Sequence, residues 1–572
     1  MGLETGFQWF VHAFEQGSFV VWLRRLIIAV VFTTIAVLWL GLKFNGFSDR
    51  DAMDQAQIGR QIATGQGYST LYARPLALHL MLARTGQVRQ PLPEVSQAPL
   101  GPALNAVLIR LTGTDPGFAP GQFVSPSERA IALAGFAFFL GSLVLVYLLG
   151  RRLFDARLAL LGTGLITVMD LYWRFSTSGL PQMAMLFFFN GALLSLLAAM
   201  DAQDAGRRRR AHVWTFFAAA LLAVTALGHG IGLLIFAGFW LFATAVIRPH
   251  WPVALATPVI FAVPLLPWAW LNWRALRQPL GLPFYDLYRT EGTDSLAWLA
   301  DFEPLLRLRE SGLPAALAGN LDAQLQNFLT YFGGNFVAGA FFLALFLHTF
   351  RRWEPAQFRW AVLLMWLGAV AGMVLFGTGA AVSVNQLHVL FLPVMTFYGL
   401  AFLLVLWSRL ELGQPLLRAA FLVFLYVVLS VPLLGSLMAN SPRVNWPPYI
   451  PPVIAQFSKW LQPDEAMASD MPWASAWYAN RMSLLLPESI EQFELISGER
   501  FLGRPLVALY LSPVSGDGRG YADIVNGRYR EWARFVLREV RPEDLRGWML
   551  SSAVNLPIGG DAIFFADRPR WR

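Results

Sequence analysis

The sequence predicts a polytopic α-helical membrane protein with about 11 transmembrane helices. Of its 572 residues, 56% are hydrophobic and only 14% are charged, whereas soluble domains average about 25% charged residues. Apolar runs of roughly 20 residues recur along the chain, and each is long enough to cross a hydrocarbon core of about 30 Å as a helix. These two observations exclude a water-soluble fold of this size.

The positions of the arginines predict the orientation of the spans in the membrane. The first span, residues 23–42, contains the pair Arg24–Arg25 at its start, which puts that end in the cytoplasm by the positive-inside rule. Alternation then puts Arg151, Arg152 and the run Arg207–Arg210 on the same side, and an odd number of spans sends the C-terminus outside. The other predicted spans are 130–149, 157–173, 181–200, 213–228, 230–247, 253–272, 328–350, 358–378, 388–408 and 415–437.

We attribute the net charge of +8 first to arginines that set this topology and that face membrane lipids. We expect the run Arg207–Arg210 to contact anionic lipids, and we expect no nucleic-acid partner. The absence of cysteine excludes disulfides, thiolate metal sites and a cysteine nucleophile. No Gly-rich phosphate loop of the Walker type occurs, which argues against ATP hydrolysis.

The first external loop and the C-terminal segment are too polar to lie in lipid. Residues 1–437 form the predicted transmembrane domain, and its first external loop, about 45–128, should hold helices over Asp51–Thr64 and Pro99–Leu111. Residues 438–572 are predicted to form an external, periplasmic α/β domain. The segments Leu506–Ser512 and Ala562–Ala566 are typical of strands, and Tyr529–Val540 is typical of an amphipathic helix.

The densest group of chemical side chains follows the first span. Asp49, Asp51 and Asp54 emerge there within six residues, where partial burial and neighbouring charge can tune a carboxylate to act as a general base. On local chemistry alone, helix capping and solvated loop positions explain the same residues. Metal binding by the Asp-x-Asp pattern is a third interpretation.

A resemblance favours the functional interpretation. The run from Asp51 to Gly65, followed by Gln66-Gly67-Tyr68 and Arg74-Pro75-Leu76, resembles the first external loop of GT-C class glycosyltransferases that use polyprenyl-phosphate sugars. That class includes lipid A aminoarabinose transferases and protein O-mannosyltransferases. Ala52 stands where the class often has Glu, but counting from Asp51 still reaches a glycine at the expected helix end.

Other segments resemble the same class in the same order. Gln97–Leu100 is similar to the Pro-Pro-Leu helix of the loop, without the Lys that often precedes the prolines, and His388 stands where Arg is common at the head of a late span. The segments Leu171–Ser176 and Ser469–Pro472 also match. The resemblance implies a GT-C-like fold and an integral-membrane enzyme. It would move a sugar from a polyprenyl-phosphate donor to a lipid, protein or polysaccharide acceptor on the external face, with inversion.

The resemblance also implies site residues. Asp51 is the predicted catalytic base, with Asp49 and Asp54 as alternatives. A departing phosphate needs cationic donors, and the candidates for binding the donor phosphate are Arg74, Arg174, Arg60 and His388, each of which could equally be a structural or interfacial residue. No histidine cluster predicts a metal site, no cofactor is assigned, and a requirement for a divalent metal ion is left open.

The remaining alternatives are a lipid or oligosaccharide transporter or flippase, and a non-catalytic membrane scaffold of the same fold. A transporter would be expected to carry ionisable residues near the middle of its spans, and Asp170 is the nearest candidate. The predicted location is the plasma (inner) membrane, with the N-terminus cytoplasmic and the C-terminal domain periplasmic.

Overall fold

A computed structural model of the chain describes residues 18–113, 118, 121–282, 313–377, 382–410, 414–440, 450–487, 489–498, 502–512, 515, 526, 529–537, 539, 548–556 and 562–571. The end of the predicted helix Tyr529–Val540 lies outside these ranges. Its described part is a 3₁₀ turn, Arg530–Trp532, that continues into the short helix Ala533–Val536.

Apolar helices form most of the chain, which is a multi-pass membrane protein. Within the described residues, six helices are long and apolar enough to span a membrane, or up to eight if each of two bent pairs is one span. Every predicted span contains helix, whereas the count of 11 crossings stays a prediction. The helices in chain order are α1 (Ser18–Leu38), α2 (Arg50–Ala63), α3 (Pro75–Thr85), α4 (Leu100–Thr112), α5 (Pro126–Leu153), α6 (Ala156–Thr167), α7 (Asp170–Thr177), α8 (Gln182–Asp204), α9 (Arg208–Ala226), α10 (Gly232–Val246), α11 (His250–Ala262), α12 (Leu266–Leu276), α13 (Leu313–Phe328), α14 (Phe336–Leu347), α15 (Trp353–Phe376), α16 (His388–Arg409) and α17 (Pro415–Met438).

Two predicted single spans are bent. Residues 157–173 lie in α6 and α7, which meet at 62°, and Trp173 Nε1 donates to the carbonyl of Thr167 (2.8 Å), which the break would otherwise leave unpaired. Residues 328–350 divide at a 106° bend, where Asn335 Oδ1 accepts from the Ala338 amide (3.2 Å) to cap α14.

The C-terminal region is α/β. Helix α18 (Pro451–Trp460) precedes a six-stranded sheet whose order is β1-β3-β2-β4-β6-β5. The pairs β1–β3, β3–β2 and β2–β4 are parallel, whereas β6 pairs antiparallel with both β4 and β5. The remaining elements are β1 (Tyr72–Ala73), β2 (Ala466–Ser469), α19 (Pro472–Ala474), β3 (Met482–Leu485), α20 (Ile490–Gly498), β4 (Leu506–Leu511), α21 (Ala533–Val536), β5 (Ser552–Asn555) and β6 (Ile563–Ala566).

Strand β1 comes from the first loop, not from the C-terminal region. Tyr72 pairs with Ser483, and Ala73 pairs with Leu484, so the loop supplies the edge strand of the C-terminal sheet. The side chains on the two faces of β4 pack in two different hydrophobic cores. Ala508 and Tyr510 pack in the large core shared with the helical bundle, whereas the intervening residues pack with apolar side chains of α3. The loop and the C-terminal domain are therefore one packed unit.

Candidate functional site

Helix α2 begins at the acidic cluster, and Asp49 is its N-cap. Asp49 Oδ1 accepts from the backbone amides of Asp51 (2.8 Å) and Ala52 (3.2 Å), which are two of the amides that a helix leaves without an internal partner. Burial, and secondarily the charge of Asp51, raises the pKa of Asp49 to about 7. The main contact of this carboxylate is thus with the start of the helix.

Asp54 belongs to a buried ion triad with Arg74 and Glu94. Arg74 lies at the carboxyl end of β1 and pairs with both carboxylates, at 3.1 Å in the case of Glu94. The side chains of Asp54, Glu94 and Arg74 are 2%, 0% and 12% exposed, so water screens these charges little. Burial raises the pKa of Asp54 to about 6, while the Arg74 charge opposes the shift. The Arg74 guanidinium also lies over the Tyr72 ring, 4.3 Å from its centroid.

Gln97 connects the acidic cluster. Its Nε2 donates to Asp51 Oδ1 (3.1 Å) and to Asp54 Oδ2 (2.9 Å), while its Oε1 accepts from Gln55 (3.1 Å). Sequence reasoning missed Gln97, although the absence of the usual Lys before Pro99 was a signal of altered chemistry at this point. A neutral amide here orients both carboxylates without neutralising either of them.

Asp51 differs from its two neighbours. Its side chain is half-buried, and the described contact of its carboxylate is the neutral Gln97 amide. Asp49 is engaged by helix amides, and Asp54 is engaged by Arg74. Of the three predicted carboxylates, Asp51 is therefore the one whose described hydrogen-bond donor is a neutral side chain.

His229 lies in the turn between α9 and α10. The Ile231 amide donates to its Nδ1 (3.2 Å), so Nε2 carries the proton and donates to Asn385 Oδ1 (2.8 Å). Burial lowers the pKa of His229, and the Asn385 contact and the Asp51 charge oppose that shift. The Leu100 amide at the start of α4 donates to the carbonyl of Leu227 (2.8 Å). The segment Gln97–Leu100 thus contacts both Asp51 and the end of the turn before His229.

The predicted phosphate ligands Arg174 and His388 lie on other elements. Arg174 is exposed on α7 and is 3.9 Å from Asp170 one helical turn earlier. His388 is buried at the start of α16, where its Nδ1 accepts from Trp366 Nε1 (3.2 Å) and its ring lies 5.6 Å from that of Tyr331. Within the described ranges, no hydrogen bond or ion pair joins either residue to the acidic cluster.

Arg60 faces the C-terminal domain. It is buried, and its two terminal nitrogens donate to the carbonyls of Ala476 and Trp477, both at 2.7 Å. Its guanidinium lies 4.8 Å from the centroid of the Trp477 ring. From the other side, Glu128 Oε1 accepts from Trp477 Nε1 (3.2 Å) and from the Tyr478 hydroxyl (2.8 Å). The turn Ser475–Ala479 is thus held by both α2 and α5.

A metal site is not formed by the side chains that the structure describes. Among them, no three His, Asp or Glu residues come together in a way that could hold an ion. In the Asp-x-Asp pair, Asp49 already caps α2, and nearby Asp54 is neutralised by Arg74. These residues do not fit a divalent cation, and no chemical step is assigned to one.

Comparison with solved structures and family models identifies the architecture. A family model described as dolichyl-phosphate-mannose-protein mannosyltransferase matches residues 92–277. The structure of ArnT from Cupriavidus metallidurans bound to undecaprenyl phosphate aligns with a TM-score of 0.53 at 14% identity, covering 95% of this chain and 98% of that one. The chain has the GT-C fold. This confirms the class resemblance and the fold class predicted from the sequence.

The GT-C fold is also supported by archaeal structures. The Archaeoglobus fulgidus oligosaccharyltransferase in complex with Zn and sulfate aligns with a TM-score of 0.54 at 16% identity, covering 89% of this chain and 71% of that chain. AglB from the same organism, in complex with an inhibitory peptide and a dolichol-phosphate, gives a TM-score of 0.52 at 15% identity, with coverage of 90% and 73%. No curated protein sequence matches the chain significantly.

Proposed function

We propose that this chain is an integral-membrane glycosyltransferase that moves a sugar from a polyprenyl-phosphate donor to an acceptor on the external face of the plasma membrane. The GT-C fold and the mannosyltransferase family match support the class of reaction. The observation that carries the proposal is the state of Asp51, a half-buried carboxylate that is oriented by the neutral Gln97 amide and whose charge acts on His229.

In this mechanism Asp51 is the general base. The acceptor oxygen forms a bond to the anomeric carbon as the bond from that carbon to the phosphate oxygen breaks. The acceptor proton passes to the Asp51 carboxylate, and polyprenyl phosphate leaves with the bonding electrons. Displacement from the face opposite the phosphate inverts the anomeric centre. Asp49 then serves to start α2, and Asp54 serves to hold the loop through Arg74.

The departing phosphate requires a cation that is not already neutralised by the protein. Arg174 meets this requirement best among the predicted ligands, because its guanidinium is exposed and its ion pair with Asp170 is long at 3.9 Å. Arg74 already forms ion pairs with two carboxylates, and Arg60 already donates to two carbonyls. We assign Arg74 and Arg60 to positioning, and we keep His388 as a neutral contact at the head of α16.

Transfer from a defined donor tests the proposal. The purified chain in lipid nanodiscs would be given polyprenyl-phosphate mannose, glucose or aminoarabinose together with an envelope extract as acceptor. We expect release of free polyprenyl phosphate and a labelled acceptor from one donor. Asp51→Asn should lower the rate by about 10²–10⁴-fold, whereas Asp464→Asn, at an exposed position of the C-terminal domain, should leave it unchanged.

The alternatives predict different results. A flippase would move the intact lipid-linked sugar across a vesicle membrane without releasing polyprenyl phosphate. A scaffold would do neither. Full transfer by a folded Asp51→Asn variant would contradict the assignment of the base while leaving the reaction class standing.

A further inference from the structure

A groove with a basic rim lies far from Asp51, between α5, α8 and α9. It has a volume of about 430 Å³, which falls in the usual range of ligand pockets. Leu148, in its wall, is 22 residues beyond the start of α5, or roughly 33 Å along the helix axis at 1.5 Å per residue. That distance is about the thickness of a hydrocarbon core, so the groove and the acidic cluster lie at opposite membrane faces. We call it the basic groove, and its lining is Leu148, Arg151, Arg152, Leu194, Ser195, Ala198 and Trp214.

The two ends of the basic groove differ in chemistry. Leu148, Leu194 and Ala198 form an apolar floor, and Leu148 is 42% exposed. Arg151 and Arg152 lie at the end of α5, where the apolar segment stops. An apolar channel that ends in guanidinium groups matches a molecule that carries a hydrocarbon chain beneath an anionic head.

Trp214 marks the depth of the groove in the membrane. Its side chain is 41% exposed on α9, and tryptophan favours the level of the lipid head groups. Arg210 lies one helical turn earlier on the same helix and is exposed, so the two side chains share one face. The aromatic ring and the guanidinium are therefore at the height of a lipid phosphate.

The electrostatic balance at the rim is positive. Asp201 pairs with Arg152 and holds that side chain at the rim, and Asp204 follows at the end of α8. Arginines still outnumber the acidic side chains: Arg151 and Arg152 line the groove and the run Arg207–Arg210 precedes Trp214 on α9, whereas the nearby carboxylates are Asp201, Asp204 and Glu354. A zwitterionic lipid would gain little from this excess of positive charge, whereas an anionic lipid would bind about 5-fold more tightly for each nearby arginine.

We propose that the basic groove binds an anionic phospholipid. Its acyl chain lies along Leu148, Leu194 and Ala198, and its head-group phosphate contacts Arg151 and Arg210. The site is separate from the proposed transferase site and does not depend on the function proposed above. It gives the chain a lipid preference on the face opposite to Asp51.

Lipid-dependent thermal unfolding and native mass spectrometry of the full chain in neutral detergent test this inference. Added phosphatidylglycerol should stabilise the chain more than phosphatidylcholine does, because a ligand bound only to the folded state adds RT ln(1 + [L]/Kd). The double variant Arg151→Gln/Arg210→Gln should weaken phosphatidylglycerol binding about 25-fold, since each arginine contributes about 5-fold. The control Arg248→Gln/Arg418→Gln removes two exposed arginines outside the groove and should keep the preference.

A steric variant separates the groove from surface charge. Ala198→Trp fills the floor but leaves all six arginines in place, so it should also abolish the preference for phosphatidylglycerol. Retained binding in this variant, or equal loss in the control double variant, would overturn the site. Competition by inorganic phosphate at millimolar concentration would assign the rim to a free anion and would refute a lipid site.

Discussion

Replacing Arg74 by Met should destabilise the chain strongly, because it leaves two buried carboxylates without their cation. The side chains of Asp54 and Glu94 are 2% and 0% exposed. Each ion pair with Arg74 is worth about 4 kcal/mol at an effective dielectric constant of about 20, and most of this offsets the cost of taking three charges out of water. Removing one partner of such a buried group costs about 3–5 kcal/mol.

The cost should depend on pH. The pKa of Asp54 is about 6 in the intact protein. In the absence of Arg74, Asp54 can therefore take up a proton, which removes its unpaired buried charge. The destabilisation by Arg74→Met should therefore be smaller at about pH 5.5 than at about pH 8. Thermal and denaturant unfolding of the purified variants in one detergent at both pH values measure the effect.

Two further variants make this result specific. Arg89→Met removes an exposed arginine from the same loop and should change the stability by no more than about 0.5 kcal/mol. The triple variant Arg74→Met/Asp54→Asn/Glu94→Gln removes all three charges and should regain at least half of the loss. A cost below about 1 kcal/mol for Arg74→Met, or no recovery in the triple variant, would refute the triad as a buried electrostatic unit.

Three other predictions follow from the same contacts. Transfer activity should rise with pH through about 6, because only the ionised Asp54 pairs with Arg74 and holds the Gln97 amide that orients Asp51. The stability contributed by Asp49 and Asp54 should fall between about pH 4 and pH 7, because raised pKa values mean that the folded state holds more protons than the unfolded chain. A rate profile and an unfolding profile with opposite slopes would confirm both expectations. Trp477→Phe keeps an aromatic ring but removes the Nε1 bond to Glu128 and part of a fully buried indole, so it should cost at least about 1.5–3 kcal/mol and lower the transfer rate. Trp473→Phe, at a half-buried position, should cost less, and equal effects would argue against the Glu128 contact. Single cysteines in this cysteine-free chain should be labelled by an impermeant external reagent at position 464 but not at position 208, and the reverse pattern would overturn the predicted topology.

Local features were predictable because short-range physics determines them. The helix expected over Asp51–Thr64 is observed as Arg50–Ala63, and that expected over Pro99–Leu111 is observed as Leu100–Thr112. Helix α5 likewise begins with a local capping box, in which Ser125 and Glu128 exchange bonds of 3.2 Å and 3.0 Å. Each of these depends on residues within one or two helical turns of each other.

Contacts between distant parts of the chain were not predictable from these patterns. Strand β1 has two residues, which is too short for the period-2 pattern that identifies a strand, and its partner Ser483 lies more than 400 residues along the chain. The contact of Gln97 with Asp51 and the effect of the Asp51 charge on His229 likewise depend on tertiary packing. For Arg60 and Arg74 the sequence indicated only a cation near the loop. Whether a cation meets a phosphate, a carboxylate or a carbonyl is decided by the fold.

The geometry of the loop gives the C-terminal domain a role in positioning the proposed base. Helix α2 carries Asp51 at its first turn and Arg60 at its last, and Arg60 donates to the carbonyls of Ala476 and Trp477. At the same turn of the C-terminal domain, Glu128 of α5 holds Trp477 and Tyr478. Since a helix transmits a displacement of one end to the other, movement of the C-terminal domain would move Asp51. We therefore expect the C-terminal domain to hold the carboxylate in place relative to a lipid-linked donor, because small shifts of a catalytic group can cost about 10²-fold in rate.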